Sequence, residues 1–182
     1  MPSVICSWLS GTSDSSIIIP KARTLIKNRF FASRREARLV EKALEIMFND
    51  RLLAQHTVVI TDGVALLKLA IAYNNKNTHY IFSNWNARSF NCLLHSAQVK
   101  EVFSLFSPDN IIISGAIGTA KPHRAMFEYP LNKYGIQAKD CLVIDDQEEN
   151  IQAARKHGMK GLLLQNNNYR ELQKELAALG LL

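Results

Sequence analysis

The stretch Cys141-Leu142-Val143-Ile144-Asp145-Asp146-Gln147-Glu148-Glu149-Asn150 decides how the chain is read. A short apolar run ends on two adjacent carboxylates, and helical spacing follows over residues 150–157. Runs this short and this continuous suit strands buried on both faces. Three more of the same kind occur. Tyr80-Ile81-Phe82 leads into Ser83-Asn84-Trp85-Asn86, Ile111-Ile112-Ile113 into Ser114-Gly115, and Leu162-Leu163-Leu164 into Gln165-Asn166-Asn167-Asn168. Residues 65–72, 97–106, 124–134 and 169–179 also carry helical spacing. Strand and helix in alternation predict an α/β domain built on a parallel sheet, a three-layer, Rossmann-like arrangement, over residues 57–182.

In an open parallel sheet, ligands sit beyond the carboxyl ends of the strands. The residues expected there are Ser83 and Asn84 after one strand, and Asp145 and Asp146 after another. Lys121 joins them from Gly118-Thr119-Ala120-Lys121-Pro122, where Pro122 is expected to open a helix at its first position. A hydroxyl and an ammonium can hold a phosphate. Carboxylates can hold Mg²⁺, a hard ion that takes oxygen ligands. Taken singly, Ser83 could be a turn residue, Lys121 a solvated lysine and the acidic pair a helix N-cap. Together, in this order, they form a coherent set.

Residues 1–56 read differently, as helical and basic. Residues 36–48 place Leu39, Val40, Ala43, Leu44, Met47 and Phe48 on helical spacing, with Ser33 as the expected N-cap and Glu36 as its capping-box partner. Lys21, Arg23, Lys27, Arg29, Arg34, Arg35, Arg38 and Lys42 crowd one segment and account for much of the net charge of +6. No aromatic-interleaved RNA motif or helix-turn-helix pattern accompanies them, so the expectation is a solvated helix face and not a nucleic-acid contact. At 47% apolar and 21% charged residues the chain has the profile of a globular protein, not a disordered one. No apolar run reaches the ~18–20 residues that span a bilayer, and no membrane contact is expected. Cys6, Cys92 and Cys141 are odd in number and widely spaced. This predicts reduced thiols in a cytoplasmic protein, not a disulfide framework or a zinc site. The five histidines show no ligand spacing and are expected to be structural or solvated.

On these motifs the chain resembles the haloacid dehalogenase (HAD) superfamily. Ile81-Phe82-Ser83-Asn84-Trp85 resembles its second motif, Lys121-Pro122 with Ala125-Met126-Phe127 its third, and Val143-Ile144-Asp145-Asp146 its fourth. Receiver domains carry a similar set, but their acidic pair follows the first strand, whereas here it follows the third. The resemblance implies a phosphatase-type hydrolase. Ser83 and the Asn84 backbone N–H would bind a phosphoryl group, and Lys121 would neutralise its charge. Asp146 would ligate Mg²⁺, Asp145 would be a second or water-mediated ligand, and Asn150 would steady the loop. The implied ligand is a small phosphorylated molecule.

One part of the family pattern is missing. Its first motif is Asp-x-Asp at the end of the central strand, and no Asp-x-Asp occurs in these 182 residues. Val58-Val59-Ile60-Thr61-Asp62-Gly63-Val64 imitates it with Ile60 in the nucleophile's place, and isoleucine cannot attack phosphorus. Asp62 reads instead as the N-cap of a helix. Residues 1–56 then read as the remnant of a helical cap, and the chain as a truncated, catalytically impaired phosphohydrolase. A non-catalytic phosphate and Mg²⁺ binding module is the alternative, and a nucleic-acid-binding protein the less favoured one. Without the central strand, the strands ending at Ser83 and Asp145 should show a defect or a substitute strand between them. Their unpaired edges would favour self-association.

Overall fold

The computed structural model describes residues 3–13, 15–27, 33–73 and 78–182. Arg29 of the basic segment lies outside them, and the side chains of Cys6 and Lys27 are likewise outside the description. In chain order the elements are α1 (Ser3–Leu9), α2 (Ser15–Lys27), α3 (Arg34–Met47), α4 (Asp50–His56), α5 (Thr61–Tyr73), β1 (Ile81–Ser83), α6 (Ala87–Leu94) and α7 (Lys100–Phe103). They continue with β2 (Ile111–Ile113), α8 (Ser114–Ile117), α9 (Arg124–Tyr134), β3 (Leu142–Asp145), α10 (Glu148–Lys156), β4 (Lys160–Leu163) and α11 (Tyr169–Ala178). The chain divides into two compact units, Met1–Val58 with Phe82–Ala120, and Val59–Ile81 with Lys121–Leu182.

The first unit is helical around a core of Trp8, Ile18, Ala22, Leu44 and Phe48. Trp8 meets Phe48 edge-on, with ring centroids 5.2 Å apart, a geometry aromatic pairs favour. The α3 helix supplies Leu44 from its apolar stripe. Ser33 caps it as expected, its hydroxyl accepting the Glu36 N–H at 3.1 Å, a contact worth ~1 kcal/mol in typical helices. Asn49 caps α4 and Asn86 caps α6 in the same way.

The second unit is α/β. Its strands β3 and β4 pair in parallel, with Leu142 opposite Lys160 and Asp145 opposite Leu163. Leu142, Leu162 and Leu164 pack with Leu66 of α5 and with Leu172 and Leu176 of α11. Gly161 lets the ladder form close to α10, since a Cβ there would lie 3.0 Å from the Ile151 side chain. Phe127 is fully buried and stacks on His157, whose Nδ1 lies 2.8 Å from the Ala153 carbonyl. His157 is therefore structural, as expected.

The described strands form two separate two-stranded sheets, β1 with β2 and β3 with β4. No ladder joins the strand ending at Ser83 to the strand ending at Asp145. Residues 57–60 do not substitute for a strand; they form no regular element, and Thr61 already belongs to α5. Asp62 is the second residue of that helix and sits in its first turn, not at the cap. Pro122 also departs from its expected place. It follows a cis peptide bond in the turn before α9, whose cap is His123, with Nδ1 accepting the Ala125 N–H at 3.3 Å.

Candidate functional site

The third and fourth motifs meet in the second unit. Asp145 is the last residue of β3, where ladder pairing fixes its backbone: its carbonyl accepts the Leu164 N–H at 2.9 Å. The Lys121 Nζ donates to Asp145 Oδ2 at 2.6 Å, and both side chains are about 6% exposed. The other carboxylate oxygen, Oδ1, accepts the Gln147 N–H at 2.9 Å and the Asn150 Nδ2 at 3.0 Å. Asn150, in the first turns of α10 and almost fully buried, thus steadies the loop after β3. Its own Oδ1 is buried without a partner. Two buried opposite charges cost several kcal/mol each to desolvate. The short contact and the added donors offset that cost and fix Lys121 in one place.

Asp146, next in the chain, is exposed and makes no hydrogen bond or ion pair among the described residues. Its carboxylate is therefore open to a hard cation. Mg²⁺ keeps several waters and needs only one or two protein carboxylates, so the donor chemistry fits with Asp146 as direct ligand. Asp145 has both oxygens engaged by Lys121, Gln147 and Asn150. Among the described residues no group of three or more His, Cys, Asp or Glu side chains gathers that could hold a metal by itself.

One neighbour escapes a sequence reading. Asn168 caps α11 by accepting the Glu171 N–H at 3.2 Å, and this sets Tyr169 at the helix start. A Cβ on Gly63 would lie 3.0 Å from the Tyr169 ring, so glycine at this position lets the ring rest on the first turn of α5. Burial pushes the phenol above its ordinary 10.0, and the charges of Asp146 and then Asp62 push it further. The raised value means that the unfolded chain ionises first. The stabilising contribution is complete below pH ~10 and is lost as pH rises through the folded value. In a spectrophotometric tyrosinate titration, with Tyr169→Phe identifying the signal, Asp146→Asn is expected to move this phenol back toward 10.0. No movement would mean that Asp146 does not face the ring.

Ser83 ends β1 in the first unit and is half-buried, as is Asn84. The turn after them is clamped from the end of β2. Ser114, fully buried, accepts the Trp85 N–H at 2.9 Å and donates to the Leu9 carbonyl at 2.6 Å. Gly115 N–H donates to the Trp85 carbonyl at 3.0 Å. Asn86 adds a bond from Nδ2 to the Trp8 carbonyl at 3.0 Å while capping α6. Ser83 and Asn84 thus belong to one unit, and Lys121, Asp145 and Asp146 to the other.

Comparison with known proteins agrees with the motifs. A family model described as HAD-hydrolase-like matches residues 118–179. The fold is similar to a HAD family enzyme from Bacteroides thetaiotaomicron, at 19% identity and TM-score 0.62 over 91% of this chain and 75% of that one. The same enzyme has been solved with magnesium and inorganic phosphate, and there the similarity is 18% identity and TM-score 0.58 over 89% and 74% of the two chains. A HAD-like family hydrolase from Porphyromonas gingivalis aligns at 16% identity and TM-score 0.60 over 94% and 77%. In sequence, 97 residues are 33% identical to a drimenol cyclase of Aspergillus calidoustus, which is 53% of this chain but only 17% of that protein. Among the described residues no single helix is long and apolar enough to cross a membrane. The matched segment, residues 118–179, is thus similar to the HAD-like hydrolases, and the fold is similar to that of HAD family enzymes.

Proposed function

We propose that this chain carries the phosphate- and metal-binding side of a HAD-type phosphohydrolase and is catalytically impaired as these 182 residues stand. The observation that carries the reading is the buried Lys121–Asp145 pair, 2.6 Å apart and steadied by Asn150. It fixes Lys121 on the residue that precedes the exposed Asp146. In this reading Lys121 neutralises a phosphoryl group and Asp146 ligates Mg²⁺. Asp145 orients Lys121 and touches the ion's waters. Ser83 and the Asn84 N–H offer donors to phosphate oxygens, and a small phosphorylated molecule is the ligand. Bound Mg²⁺ would supply charge neutralisation at the phosphoryl oxygens. Residues 1–56 would be part of a cap.

The impairment follows from the missing carboxylate nucleophile. Ile60 stands where the imitation of the first motif would need an aspartate, and Asp62 is committed to the first turn of α5. Turnover of p-nitrophenyl phosphate with Mg²⁺ is therefore expected to stay at the uncatalysed rate. Clear turnover that Asp146→Ala abolishes would show that a nucleophile is present after all. The fluorescence of Trp85, beside Asn84, offers an independent reading of phosphate binding.

A further inference from the structure

The function proposed for the motifs makes no use of the outward side of α3. At about 100° per residue, Arg35, Arg38, Leu39 and Lys42 share the side opposite Leu44, which faces the core. Of the acidic residues of the helix, Glu36 and Glu41 flank that side, and Glu45, two turns on from Arg38 at its edge, is held by Arg23 at 2.6 Å. Arg34, Arg35, Arg38 and Lys42 are all exposed, and none makes an ion pair among the described residues. Together with Leu39 they line a groove of about 360 Å³. Leu39 is 60% exposed in the midst of these cations. Arg34, Arg35, Arg38 and Lys42 thus form a cluster of one sign around an exposed aliphatic side chain.

We propose that this groove binds an acidic peptide segment of a partner protein, with carboxylates set around one aliphatic side chain. The four cations match the carboxylates in sign, and Leu39 offers the apolar contact in their midst. That leucine distinguishes the partner. A polyphosphate backbone would make no use of it, and the aromatic residues on which bases stack are lacking among the described lining residues. A bilayer surface would need a broad apolar face, and the apolar face of α3 is already packed on Trp8, Ile18 and Phe48.

The test uses the full chain and a fluorescein-labelled peptide of roughly ten residues, glutamates around a central leucine. Such a peptide is long enough for the ~12 Å from Arg34 to Lys42 along the helix. Fluorescence anisotropy is expected to show saturable binding, weakened at least about tenfold by Arg35→Glu with Arg38→Glu. Exchanging the peptide's leucine for serine should weaken binding to the unaltered protein, a reading that does not depend on any variant folding. Three results would overturn the proposal: no saturable binding, binding indifferent to charge reversal, or tighter binding of an oligothymidylate of matched length. Preferential binding to phosphatidylserine vesicles would overturn it as well.

Discussion

Replacing Lys121 with methionine should destabilise the second unit by about 3–5 kcal/mol, the range for removing one partner of a buried ion pair. Methionine keeps most of the lysine's length and volume, so packing loss is small and the uncompensated charge dominates. Asp145 would remain only about 6% exposed, with Gln147 N–H and Asn150 Nδ2 still on Oδ1 but no cation on Oδ2. Urea denaturation followed by far-ultraviolet circular dichroism would measure the loss. The double variant Lys121→Met, Asp145→Leu should lose clearly less than the two single variants summed, because the pair is coupled. It will not recover fully, since Asn150 Nδ2 would lose its acceptor. A loss below about 1 kcal/mol for Lys121→Met would put the pair in the class of surface ion pairs and would remove the main support for the proposed site.

Gly115→Ala should be nearly as damaging in the first unit, at about 2–3 kcal/mol, the upper part of the overpacking range. A Cβ there would lie 2.4 Å from the Ala87 nitrogen and 2.8 Å from the Trp85 carbonyl oxygen. Both atoms are backbone, so no side chain can swing aside. The turn Ser83-Asn84-Trp85-Asn86 would have to move as a piece, stretching the Gly115 N–H bond to Trp85 and the Ser114 hydroxyl bond with it. The change should therefore appear twice, as a lower denaturation midpoint and as an altered Trp85 emission. Unchanged emission at full stability would show that the turn is not clamped by β2.

Local signals in the sequence located most of the strands and helices after residue 80. The strand over Ile111–Ile113 and the helix over Arg124–Tyr134 fall where their apolar runs and spacing put them. The last strand begins two residues earlier than expected, at Lys160-Gly161, because pairing with Leu142 and Val143 sets its extent rather than its own hydrophobicity. The helix expected over 97–106 shrinks to Lys100–Phe103. It starts at Val99 without a side-chain cap and is closed by Ser104, whose hydroxyl donates to the Glu101 carbonyl. The helix Ala87–Leu94 passed unnoticed, although Asn86 followed by Phe90 and Leu93 was its signal.

The site was legible as a list of residues and not as an arrangement. Asp145 and Lys121 are 24 positions apart with all of α9 between them, so their contact depends on where a strand end and a turn come to rest. Tyr169 gave no motif to read. Its place beside Asp146 is decided by an asparagine cap and by a glycine on another helix. The basic residues 34–42 were visible as charge. That they line a groove with an exposed leucine and lack ion-pair partners among the described residues is a property of the folded helix alone.

The paired strands have a bearing on how the second unit comes apart. A ribbon of two short strands is marginal by itself, so β3 and β4 persist because helices are fastened to them. Leu172 and Leu176 of α11, with Leu66 of α5, cover Leu142, Leu162 and Leu164. The last helix is therefore a clasp. Should it detach, the ribbon loses the cover over these leucines, and Asp145 loses the rigid strand end from which it holds Lys121. Melting of the carboxyl-terminal helix and release of the buried lysine should then belong to one cooperative event.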